Sequence, residues 1–478
     1  MTGAVLAAAC LLSGCAAQGP QAKLDPKNPV TVTVWHYYNG AQLSAFSQLV
    51  TEFNETEGRE KGIVVEQSSQ GTVSELEQSV LDAANKKVGA SEVPNIFAAY
   101  ADTAYAVDGL GLVADVRPYL TDEEYASYIG SYLDEGDFAG DGSLKIFPIA
   151  KSVELFMLNA TDWEQFSSET GASEAELATF EGVARTAQQY YEWTDARTPG
   201  VPDDGKAFFG RDAFANYMLI GARQLGVELL SVGKDGKPAL NFDRAAVRRL
   251  WDNYYVPFVK GYFGANGRFR SDDVKTGDVI AYVGSSSGAT FFPDARIVSD
   301  TESYPIELQV LACPQFEGGQ PYAVQQGAGL VVTNGTPQQM TASVEFLKWF
   351  TQADRNFAFS LASGYLPVKK EANEAAFAEK QMDAAGMDDG MRTILTTALD
   401  IASTQNLYTP RAFSGGTKAR NILEYAMPDK AAEDRAAVLA LLSSGVPYGE
   451  AVAQFCNDDA FELWYADTLA ALEACVNG

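Results

Sequence analysis

The sequence predicts an α/β fold built on a parallel sheet flanked by helices, and three observations predict it. Val30-Thr31-Val32-Thr33-Val34-Trp35 alternates apolar and polar residues at the period of a strand. Gly62-Ile63-Val64-Val65-Glu66 and Pro94-Asn95-Ile96-Phe97-Ala98-Ala99-Tyr100 are two further runs of strand length. Between them, Ala41 to Phe53 and Val73 to Asn85 carry apolar residues at helical spacing, and Ala104 to Leu110 follows the third run in the same way. Strand-helix-strand-helix-strand needs crossover connections, and crossovers join parallel strands.

Ligands of such sheets bind beyond the carboxyl ends of the strands. Those ends are Trp35-His36-Tyr37-Tyr38, Ser69-Gln70-Gly71 and Tyr100-Ala101-Asp102. Trp35, His36, Tyr37, Gln70 and Asp102 are therefore candidate ligand contacts. Further on, Lys234-Asp235-Gly236-Lys237 is a turn. Asp278 to Val283 reads as a strand running into Gly284-Ser285-Ser286-Ser287-Gly288. Gly327 to Thr333 reads as another strand, and Ala342 to Phe350 as an amphipathic helix. Acidic, Ala-rich helices fill the remainder. No period of solenoid length repeats.

Ahead of the first strand, Val5 to Leu12 is an apolar run too short to span a bilayer. It ends in Leu12-Ser13-Gly14-Cys15, which resembles the bacterial lipobox. Residues 1–14 are thus expected to be a lipoprotein signal peptide, with Cys15 the lipidated residue. No Lys or Arg precedes Lys23. Residues 15–29 hold Gly19, Pro20, Pro26 and Pro29 and read as a tether. No later stretch reaches about eighteen consecutive apolar residues, so an extracytoplasmic globule held to the membrane only through lipid is expected.

The 478 residues carry a formal charge of −28, which argues against nucleic acid as a partner, because duplex binding needs clustered cations. With 46% hydrophobic and 11% aromatic residues the chain can bury a sizeable core. Cys10 falls in the signal and Cys15 is the proposed anchor. Of the remaining cysteines, Cys456 and Cys475 could bridge two terminal helices, or all three of Cys313, Cys456 and Cys475 could be free thiols.

Chemistry-bearing motifs are few. Trp35, Tyr37 and Tyr38 could stack on sugar C–H faces or pack in a core. His36 is the only histidine, and neither His-Glu-x-x-His nor Cys-x-x-Cys occurs, so no metal or other cofactor is expected. Asp102 could accept two hydroxyls of a ligand or cap the following helix. Gly284 to Gly288 matches the nucleophile elbow Gly-x-Ser-x-Gly, so a serine esterase is a rival reading. A triad needs a histidine base, however, and His36 precedes the serine where the hydrolase order places it last. No dinucleotide or nucleotide loop is present, so any ATPase is a separate subunit.

The order of motifs resembles a known family. After the lipobox and Trp35-His36 come Pro94-Asn95-Ile96-Phe97, Ile146-Phe147-Pro148-Ile149-Ala150-Lys151-Ser152 and Gly284 to Gly288. Gly327-Ala328-Gly329-Leu330, Phe346 to Phe350 and Gly364-Tyr365-Leu366-Pro367-Val368 follow. This is similar to the family 1 extracellular solute-binding proteins, the maltose-binding-protein-like group. The resemblance implies two α/β lobes, each a mainly parallel sheet flanked by helices. It implies three hinge crossings, near Ala150–Ser152, Gln325–Gly327 and Leu366–Lys369. Residues 30–151 with 325–366 would form one lobe and 152–324 with 367–478 the other. The protein would be a monomer that catalyses nothing. It would close over a small polar solute and deliver it to the permease of an ABC importer.

Carried over residue by residue, the contacts would include Ser152, Ser286 or Ser287, Gly327 and Tyr365, with Tyr217, Ser285 and Ser414 beside them. Within the family, the glycerol-3-phosphate-binding branch is similar in its Ser-Ser-Gly turn and in the stretch Ala412-Phe413-Ser414-Gly415. Phe413 stands where that branch has its phosphate-binding Arg, with Arg411 two residues earlier, and Val73 stands where it has a Tyr. A neutral mono- or oligosaccharide is therefore the expected ligand, and a glycerol-3-phosphate or glycerophosphodiester the alternative.

Overall fold

The computed structural model describes residues 20–233 and 236–477. The signal, Cys15, Lys234 and Asp235 lie outside them. Two four-stranded sheets organise the chain. The first holds β1 (Val30–His36), β2 (Ile63–Ser69) and β3 (Ile96–Ala99). The second holds β4 (Glu154–Asn159), β5 (Phe209–Arg211), β6 (Ala281–Ser285) and β7 (Leu308–Ala312) in the order β7-β4-β6-β5. After β8 (Tyr322–Val324), β9 (Gly329–Val332) returns to the first sheet, whose order is β9-β3-β1-β2. A last short strand, β10 (Asn406–Tyr408), pairs in parallel with β8.

In the first sheet β1 pairs in parallel with both β2 and β3, as the sequence predicts, and β9 is antiparallel. In the second sheet one strand opposes the other three. There β4 is antiparallel to β6 and to β7, while β5 and β6 pair in parallel. The reason is the crossing. A chain arriving from the other lobe enters its new sheet at the cleft and must run away from it. β4 and β9 are the two strands that follow a crossing, and both oppose their neighbours; the remaining strands of the two sheets direct their carboxyl ends at the cleft.

Each sheet has its own apolar core. Val32, Val34, Phe46, Phe53, Ile96 and Phe350 belong to the first, and Phe156, Phe209, Trp251, Tyr255 and Phe461 to the second. A fully buried side chain of this size contributes about 1.5–3 kcal/mol. The opposite face of the second sheet is covered by helix Asp389–Thr404, whose Ile394, Ala398 and Ile401 pack with Leu155, Met157 and Tyr282. Helix Val73–Ala84 begins where the sequence places it, because Thr72 and Glu75 form a reciprocal capping box.

Three segments lie side by side between the sheets. The amide of Ser152 donates to Gln326 O at 2.8 Å, the amide of Gln326 donates back to Ser152 O at 3.0 Å, and the amide of Lys151 donates to Leu366 O at 3.0 Å. Gly327 is left-handed (φ +97°), and a Cβ there would meet Ala150 O at 2.9 Å, so the ribbon needs glycine at this point. Cys313, Cys456 and Cys475 are free thiols.

Candidate functional site

Two buried ion-pair clusters flank the ribbon. Lys151, 1% exposed, donates to Glu135 at 2.6 Å and to Gly327 O at 2.8 Å, and Gln325 donates to the same carboxylate at 2.9 Å. Glu135 belongs to the first lobe, so the cluster ties that lobe to two of the three ribbon segments. On the other side Glu154 accepts from Arg211 at 2.7 Å and from Asn216 at 2.9 Å. Asn216 also donates to Gln326 Oε1 at 3.1 Å and accepts from Arg420 at 2.7 Å. Charges taken out of water require such full pairing.

Two adjoining cavities, of about 300 and 390 Å3, open between these clusters. The first is bounded by Tyr100 and Asp102 from the end of β3, by Gln326 of the ribbon and by Asn216, Phe413 and Arg420 of the second lobe. The second adds Asp134, Asp137 and Phe138. Glu135, Gln325, Tyr408 and Arg411 face both. Gln326 Nε2 is buried with no hydrogen-bond partner among the described residues, a donor left free at the cavity wall.

The lobes touch here. Asp102 Oδ1 lies 2.5 Å from the point where Gly416 would carry a Cβ. Burial raises the Asp102 carboxyl to about 6, with Arg420 opposing the shift and Glu77 adding to it. Burial likewise raises Glu77 above the ordinary carboxylate range and holds the Tyr100 phenol protonated. Arg411 forms no ion pair among the described residues, and its guanidinium lies beside Gly140 of the first lobe.

Of the residues predicted from sequence, Asp102, Arg411 and Phe413 line this cleft. Tyr37 and Tyr365 meet at the ribbon, their hydroxyls 3.2 Å apart, and Ser152 and Gly327 are parts of the ribbon itself. Ser285 and Ser287 share a hydrogen bond of 2.9 Å, and Ser287 bonds Tyr365. Ser285 faces a separate cavity lined by second-lobe residues and by Asn39 of the first lobe.

Three of the residues predicted from sequence lie away from the two cavities. His36 is fully buried in the first lobe. Its Nδ1 accepts the Tyr38 amide at 3.1 Å, so the ring donates through Nε2 to Gln67, and burial depresses its pKa. Tyr217 is 2% exposed and donates to Leu250 O at 2.8 Å, because the apolar helix Phe214–Gln224 runs through the second core. Ser286 is fully buried and donates to Gly364 O at 2.9 Å, so the hydroxyl that an esterase would need as nucleophile is a hinge bond. Trp35 packs on the first core at the β1–β2 and β1–β3 pairings, Gln70 bonds Ser68 at 3.0 Å, and Ser414 is exposed; none lines the two cavities. Glu77, Glu135, Asn216, Gln326, Tyr408 and Arg420 were not singled out in sequence. Only position could have found them, since Glu135 and Arg420 sit in stretches that read as solvated acidic helix.

The profile of the bacterial extracellular solute-binding proteins matches residues 48–386. The chain belongs to that family. It captures a small solute for an ABC importer. Its fold is the two-lobed fold of a cyclic α-maltosyl-1,6-maltose binding protein from Arthrobacter globiformis, 16% identical, with a TM-score of 0.66 over 94% of this chain and 100% of that one. UgpB from Mycobacterium tuberculosis, solved with glycerophosphocholine, is similar at 17% identity and a TM-score of 0.64, covering 94% and 99%. A solute-binding protein from Agrobacterium radiobacter K84, solved with ribitol, is 16% identical, with a TM-score of 0.60 over 94% and 100%. No curated protein matches the sequence.

Proposed function

We propose that this solute-binding protein holds an uncharged polyhydroxy solute, a mono- or oligosaccharide, in the cleft between Asp102 and Phe413. What carries the reading is the mixture of groups at one wall. The Glu77 and Asp102 carboxyls accept hydroxyls, the free Gln326 amide donates, and Tyr100 and Phe413 offer ring faces to C–H surfaces. Solute contacts from both lobes and the ribbon favour the closed arrangement over the open one, and closure is the state an importer reads. The lobe limits, residues 30–151 with 325–366 and 152–324 with 367–478, belong to this reading, as do a monomeric state and the absence of catalysis. Calorimetry against a panel of sugars, polyols and glycerophosphodiesters tests it. Saccharide binding that Gln326→Ala weakens about tenfold, or about 1.4 kcal/mol, is the expected result.

A second reading takes the same cleft for a glycerophosphate-type ligand. The observation favouring it is Arg411, a cation at both cavities with no carboxylate paired to it among the described residues. Binding confined to phosphate-bearing members of the panel, and abolished by Arg411→Ala, would replace the first reading. Cys15 is proposed as the lipid anchor. Cys15→Ser is expected to move the protein from the membrane fraction to the soluble one, and unchanged fractionation would refute it.

A further inference from the structure

A third cavity, of about 820 Å3, shares no lining residue with the two just described. Its floor is Gly284. A Cβ at that position would lie 3.1 Å from Tyr282 Cε2, 3.2 Å from Met157 Cε and 3.4 Å from Asp212 Oδ2, so the missing side chain keeps the floor open. The first glycine of the elbow-like motif thus has a structural consequence unrelated to a nucleophile. Tyr282 is 2% exposed and stacks on Phe292 with ring planes 7° apart. Its hydroxyl has no hydrogen-bond partner among the described residues, and burial together with Asp212 keeps the phenol protonated. At the mouth, Phe269 and Phe291 are 53% and 56% exposed.

Charge selects the occupant. Two buried pairs behind the cavity, Arg211–Glu154 and Arg270–Asp273, cancel. That leaves Asp212, Asp272 and Asp294 against Lys275 among the lining groups and Arg268 at the mouth, whose guanidinium lies 5.3 Å from the centre of the Phe269 ring. Asp212 accepts the Arg270 amide at 3.2 Å and faces its Nε at 3.6 Å, yet burial still raises the carboxyl to about 6. A carboxylate in that condition gains from an added cation, and aromatic faces attract cations too. A buried phenol without a partner gains from any polar group brought to it.

We propose that this cavity is a second binding site, for an organic ammonium with an apolar ring or chain, whose charged end reaches Asp212 and Tyr282 while its body lies between Phe269 and Phe291. The site is independent of the solute cleft, and its occupant need not be the transported solute.

The test is calorimetry of the full-length protein with three probes of one shape: phenethylammonium, phenethyl alcohol and phenylacetate. The ammonium is expected to bind at least tenfold tighter than the alcohol, and phenylacetate more weakly than either. Asp212→Asn should erase the difference between ammonium and alcohol. Phe291→Ser, at the exposed rim, should weaken all three several-fold while circular dichroism and Tm stay unchanged. Equal binding of the alcohol or of phenylacetate, a tenfold preference surviving in Asp212→Asn, or no binding of any probe would overturn the proposal. Saccharide affinity in Phe291→Ser separates the two sites: it is expected to equal the parent value, and a matching loss would make this cavity part of the solute cleft.

Discussion

The carboxyl ends of β1 and β3 are neighbours in one sheet, pairing Val34 with Ile96 and Trp35 with Phe97, yet they do opposite work. At the end of β1, His36, Tyr37 and Tyr38 turn inward; His36 and Tyr38 stack at 5.1 Å, and Tyr38 packs on Phe46 and Phe359. At the end of β3, Tyr100 and Asp102 open onto the cleft and meet the second lobe at Gly416 and Arg420. The difference teaches that a strand end marks where a site can be, while the next element decides whether it is. Helix Gly40–Glu55 and the helices of residues 337–363 close over the end of β1, with Phe46, Phe350 and Phe359 forming one aromatic cluster.

The comparison is broken most directly at His36. His36→Ala empties a fully buried site and orphans the Gln67 amide, which should cost about 2–4 kcal/mol in chemical denaturation. The folded protein should still bind solute with parent affinity. A large loss of affinity at unchanged stability would move His36 into the site and erase the contrast. Asp102→Asn should give the reverse pattern: solute affinity about tenfold weaker, roughly 1.4 kcal/mol, with Tm equal to or slightly above the parent value. A drop of several degrees in Tm with affinity intact would make Asp102 a purely structural contact.

The smallest effect is that of pH, and its sign follows from burial. Folding raises the Asp102 and Asp212 carboxyls to about 6, above their unfolded values, so between about 4 and 6 the folded state binds more protons than the unfolded one. The contribution of these two groups is thus greatest at low pH and lost as pH rises through about 6. Thermal unfolding of the parent and of Asp102→Asn/Asp212→Asn between pH 4 and 7 measures it. The slope of Tm against pH in this window should be more positive in the double variant, since its two carboxyls no longer oppose the stabilisation other carboxylates gain with rising pH. Parallel slopes would show both carboxyls titrating alike in the two states.

Much of the fold was readable from local pattern. The three strands of the first lobe, the helices between them and their parallel pairing follow from periodicity, and the structure adds the capping box that sets the boundary at Thr72. The family resemblance also reached the fold and the solute-binding role. Less of the site was readable. Asp102 and Phe413 were placed at the cleft, whereas Tyr217 reads the same way in sequence and is core.

What the sequence by itself determined about this protein is therefore its class, its strand and helix order in the first lobe and the positions where a ligand could be met, because period and capping act over a few residues. Only the tertiary structure decided the rest. Glu135, Gln326 and Arg420 are separated by 191 and 94 positions in the chain and become neighbours of one cleft through the crossings. The antiparallel course of β4 has the same origin, since direction in a sheet depends on where the chain enters it. Burial completes the account: the same imidazole or carboxyl is core or site according to the elements that close over it, and no short-range pattern records which ones do.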